Sequence, residues 1–206
     1  MRFEIATRCV AASTGQDRVF ARGFQDVAIV ALADGAGGRA GGGEAAQIVV
    51  QEAAKVAQSV RNPRDAKFWA HWLREIDILI RDDERAGETT AVIAAIGADF
   101  VVGASVGDSS IWLVDEKTSL DLSERQTRKP FLGIGGASPM AFSARLCGQT
   151  VLLGSDGLFK YAVTEVIAKI TRGTAIEKSA DELIECVRYP SGALPDDFSC
   201  VLCRAL

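Results

Sequence analysis

Ile29-Val30-Ala31-Leu32-Ala33-Asp34-Gly35-Ala36-Gly37-Gly38-Arg39-Ala40-Gly41-Gly42-Gly43-Glu44 is the stretch on which the reading of this chain turns. The apolar run that enters it, Val27 to Ala33, is short, β-branched and free of charge, which predicts a buried strand. Asp34 sets a carboxylate at the end of that strand. Six glycines follow in the next nine residues, and glycine lets the backbone pass close to whatever the carboxylate holds. A helical pattern begins at Glu44. Acids beside glycine turns are common, so the weight of Asp34 depends on whether other acids stand at comparable strand ends.

Composition bounds the alternatives. With 206 residues, 48% of them hydrophobic, one domain spanning residues 1–206 with a sizeable core is expected. A net charge of −4 and a pI near 5.1 give no electrostatic reason to expect nucleic acid as a partner. No apolar run approaches the ~20 residues of a membrane span, and Met-Arg-Phe-Glu-Ile at the start lacks the apolar centre of a signal peptide. Five cysteines, an odd number, argue against a disulfide framework and for a reducing cytoplasm. Cys200 and Cys203 are spaced like half a zinc knuckle. They lie in an apparent strand without a second pair or a nearby histidine, so buried free thiols are the expectation. His71, the only histidine, sits in a helical stretch with Trp69 and Trp72 and reads as a packing or surface residue.

Outward from Asp34, Phe3 to Ala12 and Arg18 to Ala21 read as strands, and Gly23-Phe24-Gln25-Asp26 as hairpin chemistry leading into the central run. Helices are expected from Glu44 to Val60, and from a cap at Asp65 to about Asp83 with Phe68, Trp72, Ile76 and Leu79 on one stripe. Ala91 to Ile96, Phe100 to Val106 and Ser109 to Val114 predict three consecutive strands in an antiparallel meander, with Asp108 at the second junction. Residues 115–137 read as loop with short extended pieces. Met140 to Leu146 and Thr150 to Gly154 follow as strands, the second running at once into Ser155-Asp156-Gly157. Thr164 to Thr171, capped by Thr164, and Glu177 to Arg188 are predicted helices. Pro195-Asp196-Asp197 then opens a closing strand, Phe198 to Leu202.

Asp34, Asp156 and Asp196 therefore each end or begin a core strand beside a glycine or proline turn. Antiparallel strands far apart in sequence can bring their ends to one rim of a sheet. Convergent acids without basic neighbours repel one another unless cations are bound. Acids with few histidines and no usable thiolates favour hard cations, Mg²⁺ or Mn²⁺. Two such ions close together suit the activation of water and the clamping of a phosphoryl group.

Five motifs in order make the pattern specific: Asp34 to Glu44, Gly87-Glu88-Thr89-Thr90-Ala91, Ser105-Val106-Gly107-Asp108-Ser109, Leu152 to Leu158, and Asp196-Asp197-Phe198-Ser199. Together with Gln16-Asp17 they resemble the metal-dependent protein phosphatases of type 2C, compact bacterial members in particular. The resemblance implies an α+β fold, a four-layer α-β-β-α sandwich of two antiparallel sheets flanked by helix pairs. It implies Mn²⁺ or Mg²⁺ as cofactor, two ions with a possible third. Asp34 would bridge two metals and the Gly35 carbonyl would ligate one of them; Asp156 and Asp196 would complete the other's shell. Asp34, Asp156 and Asp196 are thus the implied catalytic residues. Asp17 would act at or just outside that shell, and Asp108 would hold the third ion. Thr89 and Thr90 would pack or hydrogen-bond beneath the site, and Asp197 would serve the turn.

The chain also departs from the family. Ala12 stands where an arginine usually holds the substrate phosphate, and Ala36 follows the Asp-Gly pair. The glycine loop is one residue longer, and the segment before Ser155-Asp156-Gly157 is short, so the substrate-gating flap is abbreviated. Arg39, in the longer loop, is the candidate replacement for the lost arginine, with Arg18 next. The activity implied is hydrolysis of phosphoserine and phosphothreonine in proteins, by a monomer opposing a kinase. The alternative is a weakly catalytic regulatory module on the same fold, acting through protein contacts.

Overall fold

A computed structural model describes residues 2–36 and 40–206 of the chain. Among the described residues, ten strands form two five-stranded sheets in which every pairing is antiparallel. The first sheet runs β1 (Phe3–Val10), β10 (Phe198–Ala205), β9 (Thr150–Gly154), β6 (Ser110–Val114), β7 (Ser119–Asp121). The second runs β2 (Arg18–Gly23), β3 (Ala28–Ala33), β4 (Ala91–Ile96), β5 (Phe100–Val106), β8 (Met140–Arg145). Three apolar clusters separate the layers, as the expected α-β-β-α sandwich requires.

Strand β3 shows why its sequence is apolar without alternation. Ala28, Val30 and Leu32 face the cluster between the sheets, whereas Ile29, Ala31 and Ala33 face the cluster under α1 (Gly42–Val56) and α2 (Ala66–Arg81). A strand covered on both faces has no polar side to show. Fully burying such a Leu or Ile contributes roughly 1.5–3 kcal/mol, so β3 anchors both layers. On the opposite side α4 (Thr164–Thr171) and α5 (Ile176–Glu185) cover the first sheet through Ile167, Leu183 and Ile184. Cys200 joins this outer cluster and Cys203 the inter-sheet one. They point to opposite faces of β10, and so could not ligate one ion together.

Several expectations need correction. The meander breaks after β5: β6 leaves for the other sheet and pairs with β9 and β7. Gly107, at φ 97°, makes that crossing possible, because a left-handed residue redirects the chain where a side chain would be strained. Helix α1 starts at Gly42, after the left-handed Gly41, and ends at Val56, four residues before the expected Val60. Helix α2 is capped by Asp65, whose side chain accepts from the N–H groups of Lys67 and Phe68, but its buried stripe is Trp69, Leu73, Ile76 and Ile80. The stripe is rotated from the expected one, and Leu79 is exposed. Trp69 can be fully buried because its indole N–H donates to the Pro63 carbonyl at 3.0 Å. Val163, not Thr164, precedes α4 as its cap, and α5 runs from Ile176 to Glu185, short of Arg188. Asp156 opens a one-turn helix, α3 (Asp156–Phe159), where only a turn was expected. The closing strand β10 extends three residues further, to Ala205, and β1 stops at Val10. Among the described residues, no helix is long and apolar enough to cross a membrane.

Candidate active site

The acid-bearing strand ends meet at one rim. Asp17 immediately precedes β2 and Asp34 follows β3, both in the second sheet; Asp156 follows β9 and Asp196 precedes β10 in the first; Asp108 lies on the β5–β6 crossing. Asp34, Gly35, Asp108, Asp156 and Asp196 line an open groove of about 1380 Å³.

The backbone around Asp34 is held by the two threonines read from the sequence. Thr89 Oγ1 donates to the Asp34 carbonyl at 2.9 Å. The Thr90 N–H donates to the same carbonyl at 2.9 Å, while the Asp34 N–H donates to Thr90 Oγ1 at 3.1 Å. The hydroxyls of Thr90 and Ser109 lie 2.7 Å apart, tying this corner to the segment that bears Asp108. Gln16, with its amide nitrogen turned toward the loop, donates to the carbonyls of Gly35 at 2.9 Å and Ala36 at 3.2 Å. Asp197 organises the approach: its carboxylate accepts the N–H of Ala12 at 2.8 Å and that of Gln16 at 2.6 Å.

Asp17 is 2% exposed, and among the described residues neither of its carboxylate oxygens has a hydrogen-bond partner. Burial pushes its pKa up, while the nearby hydroxyls of Ser199 and Ser155 hold it down in part. Asp34 is pushed up to about 10, first by burial and then by the charges of Asp17 and Asp156. Asp156 rises too, through burial and then Asp196 and Asp108, against the opposing pull of Lys160, whose Nζ lies 4.0 Å from Asp156 Oδ2. Asp34 is thus within electrostatic reach of Asp17, Asp108 and Asp156, and Asp156 of Asp108 and Asp196. Among the described residues, however, no three His, Cys, Asp or Glu side chains already converge tightly enough to hold an ion. The donor chemistry and the orphaned oxygens of Asp17 fit hard divalent cations, with side-chain closure still to be made around them.

Of the two candidate phosphate-binding arginines, Arg39 lies outside the described residues. Arg18 is spent elsewhere: its guanidinium donates to the carbonyls of Gly15 at 2.9 Å and Asp17 at 2.7 Å, and to Gln47 Oε1 at 3.1 Å. It therefore braces the turn before β2. Ala12 does line the groove, without charge. The wall that sequence reading missed is Lys129, Pro130, Phe131 and Ile134. Leu132 and Thr89 exchange both backbone hydrogen bonds, at 3.1 and 3.0 Å, and Thr89 in turn bridges Gly35. The Lys129-Pro130 pair and its neighbouring glycines were visible in the sequence, but nothing local joins them to a threonine some forty residues earlier.

A profile of the family described as Protein phosphatase 2C matches residues 8–131, more than half of the chain. The chain belongs to that family, a family of hydrolases. Its fold is similar to that of the serine/threonine phosphatase Stp1 from Staphylococcus aureus, with a TM-score of 0.85, 18% identity and coverage of 100% of this chain and 96% of that one. The catalytic domain of the serine/threonine protein phosphatase PstP, solved in complex with two manganese ions, gives 0.84 at 22% identity, covering 98% and 97%. PppA, a regulatory component of the type VI secretion system in Pseudomonas aeruginosa, gives 0.77 at 15% identity, covering 100% and 99%. At these identities the likeness is one of fold. No curated protein sequence matches the chain.

Proposed function

We propose that this protein is a Mn²⁺- or Mg²⁺-dependent phosphatase that hydrolyses phosphoserine and phosphothreonine in proteins, with water as the acceptor. The observation that carries this reading is the set of four aspartates, Asp34, Asp108, Asp156 and Asp196, that lines one groove from both sheets and the crossing between them, with the Asp17 carboxylate buried and, among the described residues, unpartnered. Such a set is costly without cations. The two manganese ions of PstP support the ion count.

When bound, a pair of divalent cations supplies an activated water and a clamp for phosphoryl oxygens. Asp34, the Gly35 carbonyl, Asp156 and Asp196 would hold them, with Asp17 in support and Asp108 available to a third ion. Gln16 steadies the Gly35 carbonyl, and Thr89 and Thr90 fix the Asp34 backbone. No cysteine or histidine is among the described residues of the groove. The Cys9 thiol is pushed up to about 11 by burial and the Asp17 charge, which suppresses the thiolate. The phosphoryl group therefore passes to water without a thiol intermediate.

The substrate is a phosphoprotein, and the reaction opposes a serine/threonine kinase. We read the chain as a monomer of the cytoplasm, where its five free thiols are kept reduced. Turnover of a small aryl phosphate and of a phosphothreonine peptide, with and without Mn²⁺, tests this: absence of Mn²⁺-dependent release would defeat it. One observation favours the second reading, a weakly catalytic regulatory module: the uncharged Ala12 at the groove. The same assay separates the two by rate.

A further inference from the structure

Lys129 is the only lysine or arginine among the described residues lining the groove. Six carboxylates line the same surface, those of Asp34, Glu88, Asp108, Asp156, Asp196 and Asp197. With Glu88 set aside, two divalent cations would bring four positive charges against the other five, so a phosphate dianion would still enter a negative field. A further cation is needed where Ala12 offers none. Lys129 makes no ion pair among the described residues, and its Nζ lies 5.4 Å from the centroid of the Phe131 ring, itself part of the wall. Lys160, by contrast, is drawn to Asp156. The backbone beside Lys129 is close to the acids: Leu132 pairs with Thr89 and Thr89 with Gly35. Two strand spacings, about 10 Å, thus separate Leu132 from Gly35, and Lys129, three residues before Leu132, lines the same groove as Gly35 and Asp34.

Asp77 fixes this wall from behind. It lies on α2 and is 4% exposed. Its Oδ1 accepts the N–H of Gly133 at 2.7 Å and of Gly135 at 3.0 Å, and its Oδ2 accepts that of Ala137 at 2.9 Å. Gly133 and Gly135 have φ of 105° and 82°. These left-handed positions turn alternate N–H groups toward one point, forming an anion-binding concavity filled here by the protein's own carboxylate. Three charge-assisted bonds to a buried acid are strong and directional. They hold residues 133–137, immediately after the segment that carries Lys129, Pro130 and Phe131.

We propose that Lys129 is the groove cation that receives the substrate phosphoryl group, and that Asp77 is a positioning residue which acts through Lys129 by clamping its loop. The proposal rests on the phosphatase reading and deepens it.

The test uses the Mn²⁺-loaded protein, a small aryl phosphate, phosphothreonine peptides with neutral or acidic flanks, and inorganic phosphate as probe. Lys129→Ala should lower kcat/KM for the aryl phosphate and the neutral peptide roughly ten- to hundredfold. It should weaken phosphate binding, measured by calorimetry, in the same proportion while leaving Mn²⁺ binding and melting temperature unchanged; Lys129→Arg should restore most of the loss. Asp77→Asn should raise KM and weaken phosphate binding with kcat little changed. The double variant Asp77→Asn, Lys129→Ala should be no worse than Lys129→Ala alone, because residues acting through one contact are not additive. Should Asp77→Asn fail to fold, Asp77→Glu keeps the charge and tests the same coupling.

Wild-type phosphate affinity in Lys129→Ala would overturn the assignment, as would a loss confined to acidic-flanked peptides. Full additivity of the two substitutions would overturn the positioning role of Asp77. If the wild-type protein releases no phosphate at all, the phosphatase reading fails, and the calorimetric comparison still decides whether Lys129 holds phosphate.

Discussion

The carbonyl oxygen of Asp197 occupies the space in which any side chain at Gly157 would have to sit. Gly157 is in the first turn of α3, next to Asp156, and Asp197 anchors Ala12 and Gln16. Gly157→Ala must therefore displace the Asp196–Asp197 turn or α3 itself. A loss of about 1–3 kcal/mol is expected from such overpacking, read as a lower denaturation midpoint, with Mn²⁺ affinity falling alongside. A variant with wild-type stability and metal affinity would show that the two segments separate freely.

Cation binding should be the largest stabiliser within experimental reach. Wild-type protein should bind at least two Mn²⁺ or Mg²⁺ in calorimetry and melt at higher temperature with them, by linkage. Asp34→Asn should reduce both effects most, because Asp34 is the carboxylate proposed to serve both ions. Asp156→Asn and Asp196→Asn should follow, and Asp108→Asn should affect turnover more than overall binding. No heat of binding at millimolar metal would end the two-ion reading.

The pH dependence of the chelated protein has a definite sign. Asp34 is raised from the ordinary 3.8 to about 10 by burial and then by Asp17 and Asp156. Between those values the folded chain keeps a proton that the unfolded chain has lost. Stability in excess chelator should therefore decline as pH rises through this window. Bound Mn²⁺ favours the ionised carboxylates, so melting curves taken between about pH 6 and about pH 9 should slope downward with chelator and flatten with metal. A rising slope in chelator would contradict the burial of these acids.

Thiol chemistry should be silent at the groove. Burial pushes Cys200 and Cys203 up to about 12, and Cys9 donates from Sγ to the Asp17 carbonyl at 3.2 Å. Mild alkylation of the native protein should mark the exposed Cys147 first and spare both cysteines of β10, without loss of turnover. Mass mapping of the labelled sites checks the order, and inactivation that tracks a single labelled cysteine would argue for a thiol in the mechanism.

How far the sequence foretold this structure depends on the distance over which each feature is encoded. Strand β3 was legible because a strand buried on both faces must be apolar at every position. Asp34, Asp156 and Asp196 were legible because each stands beside its own turn. The crossing at Gly107-Asp108 was not: two residues between apolar strands look the same whether the next strand joins this sheet or the facing one. In α2 the apolar residues offer two stripes sharing Ile76, and only packing against the sheet selects Trp69, Leu73 and Ile80 over Phe68, Trp72 and Leu79. Asp77 and the loop it holds were invisible as a pair, because a helix acid and backbone N–H groups 56 to 60 residues away meet only in the folded chain.

Each sheet contributes two of the five aspartates and the chain crossing between them contributes the fifth. The set is in effect a vernier laid across the sandwich: its marks line up only at one setting of one layer against the other. Neither sheet could be perfected alone for this purpose, since the spacing of the acids is a property of their shared apolar seam. A methyl group added or lost in that seam, far from any carboxylate, shifts the setting. The seam between the sheets is thus subject to two demands at once, cohesion and calibration.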